Sequence, residues 1–208
     1  MTPYWQRLGF PFDHLVPSLA TAIGSSADRP AALAELIGII LNEGVRFPML
    51  RVEKLRFAAD TPYETVFEPT QQSGQKVMEP EVARALRDVL TSVVENGTAS
   101  RLAHVFATQD GTPIAVGGKT GSGDNRYEAV GPGGQRISSR ALSRTGTFAF
   151  YIGGRYFGVV TAYVAGDQAS NYVFTSALPV TALKLLAPAL SSSLDANASN
   201  QHAEVFSH

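Results

Sequence analysis

The clearest pattern in the chain is a run of apolar residues at helical spacing between Pro80 and Asn96. The apolar positions recur at i, i+4, i+7, i+8 and i+11, and charged residues fill much of the rest. Pro80 suits the first turn of a helix, and Asn96-Gly97 suits its end. The pattern predicts a helix over 80–95 whose packed stripe consists of Val82, Leu86, Val89, Leu90 and Val93.

Two other segments are apolar enough to form buried helices. Residues 31–41 are apolar on nearly every face, with Glu35 as the one charge, and Asn42-Glu43-Gly44 follows as a stop. Residues 176–190 predict a closing helix that ends near Pro188. The polar residues after it, 191–208, predict a disordered tail.

The strand signals are alternating or short apolar runs bounded by turn residues. Residues 51–58 and 65–68 predict one strand pair, and residues 113–121, 145–152 and 156–165 predict three longer strands. Gly153-Gly154 between the last two predicts a tight antiparallel hairpin, because glycine adopts positive φ without steric strain. The predicted class is therefore α+β, with an antiparallel sheet and helices packed on its faces.

The segment 122–144 fits no regular element. It is rich in glycine, lacks apolar periodicity and carries Arg126, Arg136, Arg140 and Arg144. Structureless segments of this length are uncommon inside compact domains. We predict a long surface loop inserted at about 122–144, with arginines that either contact an anionic ligand or are solvated.

Composition narrows the class of protein. The 208 residues are 44% hydrophobic and 17% charged with a formal net charge of −1, which suits a packed domain and lacks the overall basicity of most nucleic-acid binders. Cysteine is absent, and the four histidines are scattered, so we predict neither a metal site nor a cofactor. No apolar run reaches the roughly 20 residues of a membrane span, and the first residues lack a signal-peptide layout.

The densest candidate for chemistry is the segment Gly117-Gly118-Lys119-Thr120-Gly121-Ser122. A phosphate loop is excluded, because position 113, where that motif needs glycine, is Pro113. A lysine, two hydroxyls and bare backbone at the end of a strand suit an extended peptide that adds to the sheet edge. A lysine charge and hydroxyl donors also suit the carboxylate of a peptide C-terminus.

These residues resemble the Lys-Thr-Gly box of penicillin-binding proteins and serine β-lactamases. Three flanking segments follow the order found in bifunctional penicillin-binding proteins. They are Pro17–Ser25 with Asn42-Glu43-Gly44, the turn Val93–Ala99, and the two strands over 147–166. The resemblance implies the C-terminal part of a transpeptidase-like fold over residues 1–190.

The resemblance also implies serine acyl transfer that cross-links peptidoglycan. In that family a serine attacks the carbonyl between two terminal D-alanines of a stem peptide, an amine resolves the acyl-enzyme, and β-lactams trap it. By the family pattern Lys119 supplies positive potential and assists proton transfer. Thr120, Gly121 and Ser122 form the substrate cradle, in which the hydroxyls hold a carboxylate and the Ser122 N–H is an oxyanion donor.

One part of the family pattern is missing. The family needs Ser-x-x-Lys at the start of a helix, well before the Lys-Thr-Gly box. The candidate here, Ser73-Gly74-Gln75-Lys76, lies just before the helix at 80–95 and after the first matched segments. We therefore expect the nucleophile-bearing half to be absent from this chain, and we expect the chain alone to be inactive.

Three interpretations remain open from sequence. The chain is a transpeptidase fragment, a non-catalytic module that binds or senses cell-wall peptides, or an unrelated α+β protein with a chance Lys-Thr-Gly. The first implies stem peptides, β-lactams and the missing N-terminal half as partners, no nucleic acid, and a parent protein on the periplasmic or other extracytoplasmic face of a bacterial membrane. A strand with Lys119 beside the strand of Phe148 would favour the first over the third.

Overall fold

The structure is a computed structural model that describes residues 2–11, 29–52, 54–68 and 73–205. Its helices are α1 (Thr2–Arg7), α2 (Pro30–Leu41), α3 (Pro80–Glu95) and α4 (Ala177–Val205). Its strands are β1 (Val45–Arg46), β2 (Leu55–Phe57), β3 (Thr65–Phe67), β4 (Gln75–Lys76), β5 (Val116–Val130), β6 (Arg136–Ile152) and β7 (Tyr156–Ala165). The matched segment Pro17–Ser25 lies outside the described residues.

The main sheet consists of β5, β6 and β7 in that order, and both pairings are antiparallel. Lys119 on β5 lies opposite Ala149 on β6, and Phe148 on β6 lies opposite Val160 on β7. The predicted hairpin is confirmed, with Gly153 at φ 64° in its turn. The predicted strand pair near residues 55–67 is confirmed as β2 and β3.

Each face of the main sheet carries helices. On one face, Phe148 and Phe150 pack with Val180 and Leu183 of α4. On the other, Ala149 and Tyr151 pack with apolar residues of α2 and with Leu90 of α3. Successive residues of a strand point to opposite faces, so one strand serves both cores. The α+β class with helices on an antiparallel sheet is confirmed.

The predicted buried helix at 31–41 is confirmed as α2. Its second half is buried from Ile37 to Leu41. It ends at the predicted stop, where the Gly44 N–H donates to the carbonyl of Ile39. Gly44 has a φ of 85°, which a side chain rarely tolerates.

The predicted loop at 122–144 is wrong. Strands β5 and β6 continue through it and join at a turn near Gly133-Gly134, so they form a long two-stranded arm. Most of its residues are exposed. Neither face of the arm is buried along its length, so its sequence shows no alternation of apolar and polar residues. The pairing of β5 with β6 extends into the arm from the buried part of the ladder.

The predicted stripe on α3 is only partly right. The helix spans 80–95 as expected, but its buried residues are Ala83, Leu90 and Val94. Val82 is 49% exposed and Val89 is 62% exposed. Contact with the sheet therefore determines which side of α3 is buried. The flank that carries Val82 and Val89 is apolar but exposed within the described chain.

The predicted end of the last helix is also wrong. Helix α4 continues past Pro188 to Val205, where residues 191–208 were expected to be disordered. Proline removes the hydrogen bond to the carbonyl four residues earlier, which belongs to Lys184. Both Pro188 and Lys184 are exposed, which places this interruption on the solvent side of the helix, where a freed carbonyl is tolerated. Residues 206–208 lie outside the described residues.

Candidate functional site

The four predicted site residues, Lys119, Thr120, Gly121 and Ser122, lie together on β5. This strand is at the edge of the main sheet, because its other neighbour position is unoccupied in the described structure. The ladder with β6 has regular register from Val116 to Asn125. The site is therefore a stretch of free strand edge that is paired on its other side in regular register.

The hydrogen-bonding pattern of the ladder determines which backbone groups face outward. The Gly153 N–H donates to the carbonyl of Ala115 across the strands. Pairs alternate between bonded and non-bonded kinds along an antiparallel ladder. Thr120 with Phe148 and Ser122 with Gly146 are therefore non-bonded pairs. The backbone N–H and C=O groups of Thr120 and Ser122 point away from β6, towards the free edge.

The Lys119 ammonium lies at the same edge. Its Nζ donates to the outward carbonyl of Thr120 at 2.6 Å. Among the described residues no carboxylate lies within ion-pairing distance of Lys119. An unpaired cation beside outward backbone groups makes this edge attractive to an anion.

The Thr120 side chain lies on the opposite face from Lys119 and is 9% exposed. Its hydroxyl lies 2.7 Å from the hydroxyl of Thr98. Thr98 belongs to the Asn96-Gly97-Thr98 turn that ends α3. The end of that helix therefore brings a second hydroxyl to the site.

The Ser122 hydroxyl accepts a hydrogen bond of 2.9 Å from the backbone N–H of Ser176, just before α4. The approach of this segment depends on Gly146, opposite Ser122. A Cβ on Gly146 would lie 2.8 Å from the carbonyl oxygen of Thr175. The start of α4 is thus seated against the sheet beside Ser122.

Three glycines around Lys119 differ in what surrounds them. A Cβ on Gly117 would lie 2.4 Å from the ring of Tyr151, and one on Gly118 would lie 2.5 Å from the carbonyl oxygen of Ala149. Both are required for packing. A Cβ on Gly121 would meet nothing within 4 Å. Open space therefore remains beside Lys119, on the same face of the strand.

Two residues at this site were not predicted as site residues from sequence. Thr98 was quoted only as part of the resembling turn, and its contact with Thr120 joins residues 22 positions apart. Ser176 contributes its backbone N–H, which leaves no signal in side-chain identity. The turn after a periodic helix was the one sequence feature that pointed to Thr98.

The Ser73 and Lys76 pair is not part of this site. Lys76 lies in β4, which pairs with β1, and its Nζ contacts Glu79 Oε2 at 2.5 Å. Within the described residues no hydrogen bond joins Lys76 to Ser73. A base that is engaged with a carboxylate and makes no hydrogen bond to the serine does not activate a nucleophile.

The arginines of the 122–144 segment are paired with carboxylates along the arm. Arg144 and Arg126 approach Asp124 at 3.4 and 3.6 Å, and Arg136 approaches Glu128 at 3.2 Å. Arg140 approaches Asp167 at 3.8 Å. The pairs of Arg136 and Arg140 are exposed and of a kind that contributes little stability and is screened by salt, whereas the Arg144 side chain is mostly buried.

Two features are absent from the described part of the chain. No group of three or more metal-binding side chains is present there. No helix there is both long and apolar enough to cross a membrane.

Comparison with known families gives a match over most of the chain. The model of the penicillin-binding protein transpeptidase domain matches residues 2–151. Penicillin-binding protein 1A of Neisseria cinerea is 27% identical over 128 residues, which are 61% of this chain and 15% of that protein.

Solved structures share the fold. Penicillin-binding protein 3 of Mycobacterium tuberculosis in complex with aztreonam aligns with a TM-score of 0.56 at 17% identity, over 92% of this chain and 45% of that one. Penicillin-binding protein 1A of Haemophilus influenzae aligns with a TM-score of 0.56 at 22% identity, over 89% of this chain and 30% of that one. The chain thus spans less than half the length of each of these proteins.

Proposed function

Because the chain belongs to the penicillin-binding protein transpeptidase family, we propose that it supplies the Lys-Thr-Gly side of a peptidoglycan cross-linking site. In this proposal the free edge of β5 binds the C-terminal carboxylate of a stem peptide, or the carboxylate of a β-lactam. The reaction is serine acyl transfer. The attacking serine and its base belong to the other half of a transpeptidase domain, which acts with this chain.

The observation that carries the proposal is the convergence of donors at one edge. The Lys119 ammonium forms no ion pair with any described carboxylate. The Ser122 N–H points away from β6, towards the free edge beside Lys119. An extended peptide on this edge would accept hydrogen bonds from the strand as an added strand does. Outward N–H groups also suit a developing oxyanion.

Each group has a defined role in the proposed reaction. The serine oxygen of the other half forms an ester with the acyl carbon, and the terminal amino acid leaves as an amine that takes up a proton. Lys119 stabilises negative charge on the carboxylate and assists that proton transfer, Thr120 and Ser122 hydroxyls hold the carboxylate, and the Ser122 N–H holds the oxyanion. An acceptor amine then breaks the ester and restores the serine.

A non-catalytic role in binding cell-wall peptides is the second candidate. This role is supported by the contact between Lys76 and Glu79. Because Lys76 is engaged there, it does not act as a base for a serine at the described site. In either role the parent protein works on the extracytoplasmic face of a bacterial membrane, where peptidoglycan and β-lactams are found.

The test is complementation with the other half of the domain. This chain is co-purified with a segment that carries Ser-x-x-Lys from the same locus or an adjacent one, and the complex is incubated with a fluorescent penicillin. We expect an adduct on a serine of that segment. Lys119→Ala should abolish labelling, and Arg136→Ala, an exposed cation on the arm, should leave it nearly unchanged.

Two outcomes would separate the candidates or reject both. Peptide binding without any adduct in the complex would favour the non-catalytic role. Labelling of Lys119→Ala at the wild-type level would contradict the cross-linking proposal, because the cation would then have no part in binding or acylation.

A further inference from the structure

Thr98 is a threonine outside the predicted box whose hydroxyl contacts the box directly. Its Oγ1 lies 2.7 Å from Thr120 Oγ1, and Thr98 itself is exposed. Thr120 is nine-tenths buried, and the two side chains come from different elements, α3's terminal turn and β5. A buried hydroxyl that faces a single neighbouring hydroxyl has its orientation set by that neighbour.

The neighbouring hydroxyl on β5 shows what such a contact does. The Ser176 backbone N–H can only donate, so Ser122 Oγ must be the acceptor in their bond. A serine hydroxyl has one proton, and this bond does not use it. Ser122 therefore keeps its proton for a second partner.

The same count applies to Thr120 once a ligand is bound. A carboxylate is only an acceptor, so the Thr120 hydroxyl must donate its one proton to it. The Thr98–Thr120 bond then survives only if Thr98 is the donor. We propose that Thr98 is a positioning residue that donates to Thr120 and so directs the Thr120 hydroxyl proton towards a bound carboxylate.

This assignment rests on the proposed function, because it takes the β5 edge to be a carboxylate site. It extends that function to ligand selection. With Thr98 and Ser176 as internal donors, Thr120 and Ser122 present two outward protons. Lys119 adds an ammonium that also only donates. A carboxamide at the same place has one oxygen in place of two and carries no negative charge, so it pairs less well with these three donors.

The experiment is a titration of the isotopically labelled chain, followed by the amide signals of Gly121 and Ser122. The probes are N-acetyl-D-alanyl-D-alanine and its C-terminal amide, and thermal melts accompany each variant. Wild type should bind the acid more tightly than the amide. Thr98→Val should weaken binding of the acid by roughly three- to tenfold, the range of one hydrogen bond, and should change binding of the amide little.

Thr98→Ser is the matched control, because it keeps the hydroxyl and loses the methyl group. It should bind the acid as wild type does, whereas a role in packing alone would leave Thr98→Val like wild type and would weaken Thr98→Ser. If Thr98→Val does not fold, Thr98→Ala takes its place, since the residue is exposed and the smaller side chain fits the turn.

Lys119→Ala separates the failure of this inference from the failure of the proposed function. If Lys119→Ala binds the acid as wild type does, or if wild type does not bind it, the carboxylate site is wrong and the role of Thr98 falls with it. If Lys119→Ala loses the acid while Thr98→Val keeps it, or if Thr98→Ser is as weak as Thr98→Val, the role of Thr98 alone is overturned.

Discussion

Tyr151 crosses directly under Gly117, so that a methyl group on Gly117 would lie 2.4 Å from the Tyr151 hydroxyl oxygen. That hydroxyl is fully buried, donates to the Arg87 carbonyl at 3.1 Å, and lies 2.5 Å from Thr91 Oγ1. The ring is therefore held against α3 and cannot move aside. The strand just before Lys119 has room for glycine alone.

This contact predicts opposite effects for two glycine substitutions. Gly117→Ala should lower the free energy of unfolding by about 1–3 kcal/mol, because it overpacks a fixed ring. Gly121→Ala should be neutral or slightly stabilising, since a Cβ there meets nothing within 4 Å and alanine orders more readily than glycine. Urea unfolding of both variants is the measurement. Equal destabilisation by the two would contradict the open space at Gly121.

The same open space predicts a loss of binding without a loss of stability. The Gly121→Ala methyl group would stand on the Lys119 face, where we expect a ligand backbone to approach. Titration with N-acetyl-D-alanyl-D-alanine should therefore show weaker binding for a variant that melts like wild type. Unchanged affinity would mean that the ligand does not approach this face.

The two apolar neighbours on α3, Leu90 and Val89, should differ sharply. Leu90 is 8% exposed and packs with Tyr151 and α2, so Leu90→Ala should lower the free energy of unfolding by about 2–4 kcal/mol. Val89 is 62% exposed, so Val89→Ala should change it by less than about 0.5 kcal/mol. Urea melts of the isolated chain measure both. A large effect at Val89 would show that something covers this flank.

The ion pair between α3 and the end of α2 predicts a pH effect. Arg84 donates two hydrogen bonds to Glu43, and they hold the pKa of that carboxyl below its ordinary 4.5. A carboxyl with a lowered pKa in the folded state stabilises the fold above its unfolded pKa. That contribution is lost as the pH falls through the lowered value.

Glu43→Gln should therefore lose less stability than wild type between neutral pH and about pH 3. The effect should be small and should shrink in high salt, because both side chains are exposed. Melting temperatures at the two pH values give the comparison. An identical acid loss in both proteins would show that the pair does not contribute.

The chain alone should form no covalent adduct with penicillin. Acylation needs a serine with an adjacent base. In the Ser73–Lys76 candidate, the lysine forms an ion pair with Glu79. Intact-mass spectrometry after incubation with a fluorescent penicillin measures this directly. An adduct on any serine of this chain would contradict the need for a second half, and an adduct on Ser73 would make that pair the nucleophile.

Sequence patterns identified the parts of the fold in which local periodicity and burial coincide. Helix α2 and strand β7 were predicted nearly to the residue, because a buried helix leaves a continuous apolar run and the Gly153-Gly154 turn marks where β7 begins. The arm at 122–144 was missed for the opposite reason. Its strands are largely exposed, and their pairing is inherited from the buried ladder rather than from an apolar row.

The candidate site divides in the same way. Lys119, Thr120 and Ser122 form a recognisable short motif at the end of a predicted strand. Their partners Thr98 and Ser176 come from 22 and 54 positions away, and only the folded chain brings them together. The buried flank of α3 shows the same limit. The spacing of its apolar residues is compatible with burial of more than one side of the helix. Contact with β5 and the core determines that the side with Ala83, Leu90 and Val94 is buried.

The open edge of β5 makes this chain prone to pair with itself. A row of outward N–H and C=O groups at a strand edge receives a second copy of the strand as readily as a peptide. The formal net charge of −1 gives little long-range repulsion between copies. Concentrated samples should therefore form edge-to-edge dimers that a peptide ligand dissociates. Sedimentation at increasing concentration, with and without the peptide, measures this. The average mass should rise with concentration and fall again when the peptide occupies the edge of β5.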